Sequence, residues 1–376
     1  MRIDVFCRVV DNFGDAGVTW RLARQLAQEH GARVTLRIDM PQALDRIAPP
    51  SARDGVDIER LGERTPELLP DLIVEGFGCG LPARYLDAMA ASAKPPLWIN
   101  LEYLSAEPWI DTVHGLPSPQ PRLPLVRHFY FPGFTPATGG LLRERDLLAE
   151  RERARPAGRR ASRVADSLVA TAARGGVDTA SVRVVSLFCY ANAALPALLD
   201  AWVEGDSPLL CIVPEGVATA SFDAWLEGAV PHAGQTFTRG ALTLATVPFV
   251  SQDEYDRLLW ACDFNFVRGE DSFLRAQWGA RPFAWHAYPQ AGDSHRVKVE
   301  AFLDRYLAGA DDTVAAAARS FHRAWNDSDP RAVVPAWCSV VAAADALAAH
   351  NRRWCDRLAA LPDLATSLLE FSALRL

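Results

Sequence analysis

Residues 2–28 read R-I-D-V-F-C-R-V-V-D-N-F-G-D-A-G-V-T-W-R-L-A-R-Q-L-A-Q, and they decide the fold. An apolar run leads into a glycine-bearing turn and then into a helical period from Trp20 to Gln28. Strand, turn and helix in that order open a parallel α/β sheet. Such a turn ordinarily receives a phosphate, yet this one carries two acids, Asp11 and Asp15. Neither the G-x-G-x-x-G of a dinucleotide fold nor the G-x-x-x-x-G-K-[ST] of a P-loop is present.

The alternation continues outward from this stretch. Residues 32–38 (A-R-V-T-L-R-I), 71–78 (D-L-I-V-E-G-F-G) and 96–103 (P-L-W-I-N-L-E-Y) read as strands, with a helix over 83–92. From about Ser105 to Gly140 prolines, glycines and aromatics replace any clear period, which reads as an ordered, functional loop. Residues 141–164 interleave arginines with acids and read as a solvated helix and linker. Strand and helix patterns then restart at 181–190 (S-V-R-V-V-S-L-F-C-Y) and run through 207–214, 242–250, 264–278 and 282–288. Ser251 and Glu254 form a capping box at one helix start. Beyond about Asp293 the chain is alanine-rich and helical. Two Rossmann-like α/β domains with a cleft between them are expected: 1–160, 161–350, and a helical tail over 351–376 that can pack back on the first domain.

With 376 residues, 49% of them apolar, the chain can bury two such cores. No run of eighteen apolar residues and no leader with a cleavage site is visible, so neither a membrane partner nor secretion is expected. The seven cysteines are dispersed singly and read as reduced, core-filling thiols of a cytoplasmic protein. None of the eight histidines falls at zinc-site spacing, so no metal is expected. A formal charge of -7 disfavours nucleic acid as a partner. A small molecule or a specific protein with a basic loop fits better.

In open parallel sheets ligands bind beyond the carboxyl ends of the strands, so the turns that follow strands are the places to look. Asp11 and Asp15 would repel a phosphate, and suit instead one planar guanidinium or a hydroxyl. Gly14 and Gly17 would allow close backbone approach to a sugar beside Phe13. Capping of the following helix is the plainer role for either acid. The second turn, 268–272 (R-G-E-D-S), opens a helix whose free amides suit a diphosphate near Asp271 and Ser272, with Glu270 facing the cleft. Arg268 and Arg275 are candidate phosphate partners or plain surface charges. Phe188, Tyr190, Phe249, Gln252 and Tyr255 offer flat surfaces and one edge reader for a base, although aromatics near strands are usually core.

Together, D-N-F-G-D-A-G-V-T-W-R-L-A-R-Q-L, W-I-N-L-E-Y-L-S-A-E, H-G-L-P-S-P-Q, F-P-G-F-T-P-A-T-G-G-L-L and R-G-E-D-S-F-L-R-A-Q-W resemble the EarP family of bacterial protein-arginine rhamnosyltransferases, in the family's order and across most of the chain. The resemblance implies a GT-B glycosyltransferase fold and transfer of rhamnose from dTDP-β-L-rhamnose to an arginine of elongation factor P, with inversion and without metal or other cofactor. The resemblance further implies that the modified factor is activated for rescue of ribosomes stalled at polyproline. The resemblance also implies that Asp11, Asp15 and Glu270 are catalytic. By the same resemblance Phe188, Tyr190, Phe249, Gln252 and Tyr255 surround the thymine and ribose, and Asp271, Ser272 and Tyr288 meet the diphosphate. Beside it, the chemistry of arginine favours Asp15 as base and Asp11 as orienting partner, with Glu270 steadying the sugar or completing the grip. A GT-B transferase with another nucleotide sugar and a lipid or saccharide acceptor, and a nucleotide-sugar-binding protein without activity, are the competing readings.

Overall fold

Parallel pairing dominates both sheets of the computed structural model, which describes residues 1–10, 13–62, 68–155, 157–158, 162–174, 182–228 and 232–376. In chain order the first elements are β1 (Arg2–Cys7), α1 (Gly14–His30), β2 (Arg33–Ile38), α2 (Leu44–Ile47), β3 (Val56–Arg60) and β4 (Leu72–Gly76). They continue with α3 (Ala83–Ala91), β5 (Leu97–Leu101), α4 (Ile110–Val113), β6 (Pro117–Pro119) and β7 (Val126–Tyr130). The resulting sheet has the order β3-β2-β1-β4-β5-β7-β6, parallel except for β6, which closes one edge against β7. Central strands such as β4 are buried along their length because a parallel strand covered on both faces has no solvent side, and the one acid within β4, Glu75, accepts Trp98 Nε1 at 3.0 Å and Arg127 Nη1 at 3.2 Å.

The exception inside β1 is Asp4, 5% exposed, which accepts Arg37 Nε at 2.7 Å and the Tyr85 hydroxyl at 2.6 Å. Arg37 Nη1 reaches Glu59 at 2.6 Å on the next strand, so the charges are paired across β1, β2 and β3. Removing one partner of such a buried pair costs about 3–5 kcal/mol, because the other charge is left without compensation.

A second series follows: α5 (Leu147–Ala154), α6 (Arg163–Arg174), β8 (Arg183–Leu187), α7 (Leu195–Val203), β9 (Leu209–Pro214), α8 (Thr219–Trp225), β10 (Thr236–Arg239) and β11 (Leu242–Val247). After these come α9 (Gln252–Ala261), β12 (Phe264–Arg268), α10 (Asp271–Trp278) and β13 (Phe283–His286). The sheet order is β10-β11-β9-β8-β12-β13, with only β10 antiparallel. Val184, Leu210, Ile212, Ala245 and Leu258 pack beneath it as one buried cluster with Ala165 of α6. Helices α11 (Ser294–Tyr306), α12 (Asp312–Asn326), α13 (Val333–Ala342), α14 (Ala344–Ala359) and α15 (Leu364–Ala373) complete the described chain. None of the described helices is alone long and apolar enough to cross a membrane; the apolar pair α13 and α14 bends by 80°.

Ser251 caps α9 by accepting the Glu254 amide at 3.4 Å. The reciprocal half of the expected capping box does not form, because the Glu254 carboxylate accepts the Ser162 hydroxyl at 2.9 Å instead.

Two compact units result, Met1–Leu147 with Leu358–Leu376, and Leu148–Arg357. Their borders differ from 160/161 and 350/351. Helix α5 goes with the second unit because Arg151 Nη1 donates to Trp278 O at 2.7 Å and to Cys355 Sγ at 3.0 Å. Helix α15 packs on α1, and Gln25 Nε2 ties the two by donating to Asp363 Oδ1 at 3.1 Å. Gly140 makes this return geometrically open: its φ is 75°, and a Cβ there would stand 2.2 Å from Pro362 O. The region 105–140, read from sequence as loop, contains α4 and the β6–β7 pair. Its strands are short and flanked by prolines, which hides their period.

Candidate active site

Both sheets reverse direction at one place. The parallel strands of the first unit run β3-β2-β1-β4-β5-β7 and those of the second β11-β9-β8-β12-β13. Each sheet thus winds one way from its first strand and then the other, and the crevice beyond the carboxyl ends lies between β1 and β4 in one unit and β8 and β12 in the other.

In the first unit, β1 delivers the chain to the start of α1, where Phe13 is the N-cap residue with no side-chain cap. Asp15 lies in the first turn, 3% exposed, and its negative charge is favoured there by the free amides of the helix start. It does not cap its own helix end. Its Oδ2 accepts the Val10 amide at 2.8 Å and its Oδ1 accepts the Tyr103 hydroxyl at 3.2 Å. Tyr103 stacks on Phe77 at 4.3 Å between centroids and 13° between planes. Phe77, directly after β4, has φ 57°, a left-handed conformation rarely taken by a bulky side chain, and its amide is held by Leu101 O at 2.7 Å. The strand ends β1, β4 and β5 thereby converge on one carboxylate. Nearby, Glu102 accepts a hydrogen bond from Asn100, and burial lifts its pKa above the ordinary carboxylate value while Arg127 opposes the shift.

Gly14 and Gly17 do not form an open turn. Both belong to the first turns of α1, and Gly17 is buried with its amide bonded to Phe13 O at 2.8 Å. Asp11 lies outside the described residues.

In the second unit Arg268, the last residue of β12, lies over two aromatic faces at once, 4.4 Å from the Phe188 centroid and 4.6 Å from that of Tyr190. Its Nη1 donates to Cys189 O at 3.2 Å. Phe188 also meets Phe249 and Tyr255 edge-on at 6.4 and 5.8 Å, and Tyr190 meets Tyr288 at 5.3 Å. Gln252 Nε2 donates to Asp271 Oδ2 at 3.0 Å, joining the start of α9 to the start of α10. Glu270 is the N-cap residue of α10 and places no side-chain cap on it, while Gly269 supplies the left-handed φ of 62° that turns the strand into the helix. The Ser272 hydroxyl closes this turn, accepting the Arg268 amide at 3.0 Å and donating to Arg268 O at 2.5 Å. Arg275 turns inward, 2% exposed, in a bidentate pair with Asp256 at 2.9 and 2.6 Å. It is a structural cation. His286, 2% exposed, packs edge-on to Tyr190, and burial with the neighbouring Arg268 holds its pKa down at about 4.

One unit therefore offers a fixed carboxylate and a phenol where a cation or hydrogen-bond donor can dock. The other offers a guanidinium, aromatic walls and a helix start, a combination suited to an anion attached to a flat ring.

The family profile described as Elongation-Factor P (EF-P) rhamnosyltransferase EarP matches residues 3–373. The chain belongs to the EarP family. A protein-arginine rhamnosyltransferase of Pseudomonas putida is 46% identical to this EarP-family chain over 98% of it and 97% of the relative. One of Pseudomonas aeruginosa is 44% identical over 98% of both chains. A solved structure described as "Structural basis for EarP-mediated arginine glycosylation of translation elongation factor EF-P" is 37% identical, with a TM-score of 0.69, covering 100% of this chain and 99% of that one. Acinetobacter baumannii MurG aligns with a TM-score of 0.51 at 11% identity over 99% of each chain, a likeness of fold alone. The EarP-family chain has the GT-B fold.

Of the residues singled out in the sequence, Phe188, Tyr190, Phe249, Gln252, Tyr255, Asp271 and Tyr288 gather around the β8–β12 crevice through the contacts above. Tyr103 and Phe77 carry no site role in the sequence reading. Tyr103 lies within the W-I-N-L-E-Y-L-S-A-E stretch that marks the EarP family, which was the available signal.

Proposed function

We propose that this chain is a cytoplasmic inverting glycosyltransferase that moves rhamnose from dTDP-β-L-rhamnose to an arginine side chain of elongation factor P, without a metal. The observation that carries this reading is the Asp15 carboxylate, buried and held by Val10 and Tyr103 at the switch point of the first unit. Family membership supports both the enzyme class and the acceptor.

A guanidinium is a poor nucleophile because its lone pairs are delocalised and its pKa lies above about 12. A carboxylate held by the Val10 amide and the Tyr103 hydroxyl is fixed in direction, so it can orient one guanidinium nitrogen by charge-assisted hydrogen bonds. As the new C–N bond forms at the anomeric carbon and the bond to the diphosphate oxygen breaks, the departing N–H proton passes to Asp15. Asp11 is the orienting partner, and Glu270 steadies the sugar or completes the grip. In the second unit the aromatic group of Phe188, Tyr190, Phe249 and Tyr255, with Gln252, holds thymine and ribose. Arg268, the amides at Asp271 and Ser272, and Tyr288 take the charge that develops on dTDP. Ser272 acts through its amide, since its hydroxyl closes the turn.

Intact-mass measurement of unmodified elongation factor P, incubated with this protein and dTDP-rhamnose, tests the reading. One added deoxyhexose is expected, with or without a chelator. No added mass refutes the transfer; loss of transfer with chelator alone refutes the metal-free step.

A further inference from the structure

The second unit has a cavity of about 240 Å³ at the amino-terminal edge of its sheet, before the starts of β12 and β13. Its wall is drawn from α5, from Trp260 near the end of α9, from Gly279 to Arg281 between α10 and β13, and from α14. The cavity lies at the end of α10 opposite Asp271, so it is separate from the crevice at Arg268 and Glu270.

Four guanidinium groups line it against two carboxylates. Arg151 is committed to Trp278 O, Cys355 Sγ and Glu152, and Arg155 reaches Glu152 at 3.4 Å. Those cations hold the Glu152 carboxyl below its ordinary range, as a positive local field requires. Among the described residues Arg281 donates only through its Nε, to Trp260 O at 3.1 Å, which leaves its terminal nitrogens for another acceptor. Arg352 makes no hydrogen bond or ion pair with any described residue. Asp356, one helical turn from Arg352, is the remaining carboxylate.

Two guanidinium forks with donors to offer, a tryptophan wall and one acceptor carboxylate match a phosphate group carried on a hydroxylated body. We propose that this cavity binds a small phosphorylated molecule, with the phosphate on Arg281 and Arg352 and a hydroxyl donating to Asp356. The site is independent of the transfer reaction.

Calorimetry on the full chain saturated with dTDP, which keeps the Arg268 crevice occupied, tests it with inorganic phosphate, a hexose 6-phosphate and a short RNA as probes. The hexose phosphate is expected to bind one site about tenfold more tightly than inorganic phosphate, because of its hydroxyl bond to Asp356. Arg281→Ala and Arg352→Ala are each expected to weaken it about tenfold or more while leaving dTDP-rhamnose affinity unchanged. Arg352 is exposed, so Arg352→Glu provides a charge reversal that spares the fold. Equal binding by wild type and Arg352→Glu, or no binding of either phosphate, overturns the proposal; tighter binding of RNA than of hexose phosphate overturns it in favour of an extended polyanion.

Discussion

The β1–β4 and β8–β12 crevices share one topology and carry opposite charge. In the first, the chain ends its strand and presents the Asp15 carboxylate within the first turn of a helix, braced by the Tyr103 hydroxyl. In the second, it ends its strand with Arg268 between two rings and starts a helix behind it. The winding of the sheet fixes where a ligand can sit. The side chains at the strand ends fix which ligand it is. A protein that joins a cationic acceptor to an anionic donor can thus use one architecture twice with different charges.

The sharpest way to break that contrast is Asp15→Asn. It keeps the shape and, with Oδ1 turned to the Val10 amide, lets Nδ2 donate to the Tyr103 hydroxyl, but it removes the charge and the proton acceptor, so transfer is expected to fall roughly 10²–10⁴-fold. Calorimetric affinity for dTDP-rhamnose should be unchanged; a transfer rate equal to wild type would exclude Asp15 as base.

Acid should strike the second unit through two buried imidazoles, His286 and His322, both held at about 4 by burial. Their folded-state values lie below the ordinary 6.5, so between the two values the unfolded chain binds more protons and stability rises with pH. Stability present above pH 6.5 is therefore lost as pH falls toward about 4, by up to about 3 kcal/mol for each group. Thermal unfolding at pH 7 and pH 5 should differ less in His322→Leu than in wild type, and an unchanged pH slope would refute the assignment.

Arg268→Met tests the donor half alone. Losing a charge-assisted contact should cost roughly 1.5–3 kcal/mol of dTDP-rhamnose binding, about 10–150-fold in Kd. Affinity for elongation factor P should stay the same, and a weakened acceptor affinity would contradict the division of roles. The smallest effect belongs to Tyr103→Phe, which removes one neutral hydroxyl and keeps the ring on Phe77. A kcat loss of about 3–10-fold with unchanged KM for dTDP-rhamnose is expected in steady-state assays.

Much of the architecture was legible in the sequence because parallel strands and crossover helices leave distinct periods. The turns where the candidate site residues gather were legible too, since they follow the strands. What escaped was decided by partners far away in the chain. Arg275 reads as a phosphate partner or a surface charge until Asp256 claims both arms of its guanidinium. Ser272 reads as a hydroxyl ligand until the Arg268 backbone takes it. Gly14 and Gly17 read as a turn because a helix starting at Gly14 looks, locally, like a loop. Tyr103 lies in a family-marking stretch of sequence, but its place beside Asp15 is set by Phe77, whose left-handed backbone puts a ring beneath it.

The return of Leu358–Leu376 to the first unit has a consequence for how the protein is made. On the ribosome, the second unit is an uninterrupted stretch and can fold as soon as it emerges. The first unit must wait, with the α1 surface that α15 covers still exposed, until α15 itself is synthesised. The half of the enzyme encoded first is thus the half completed last.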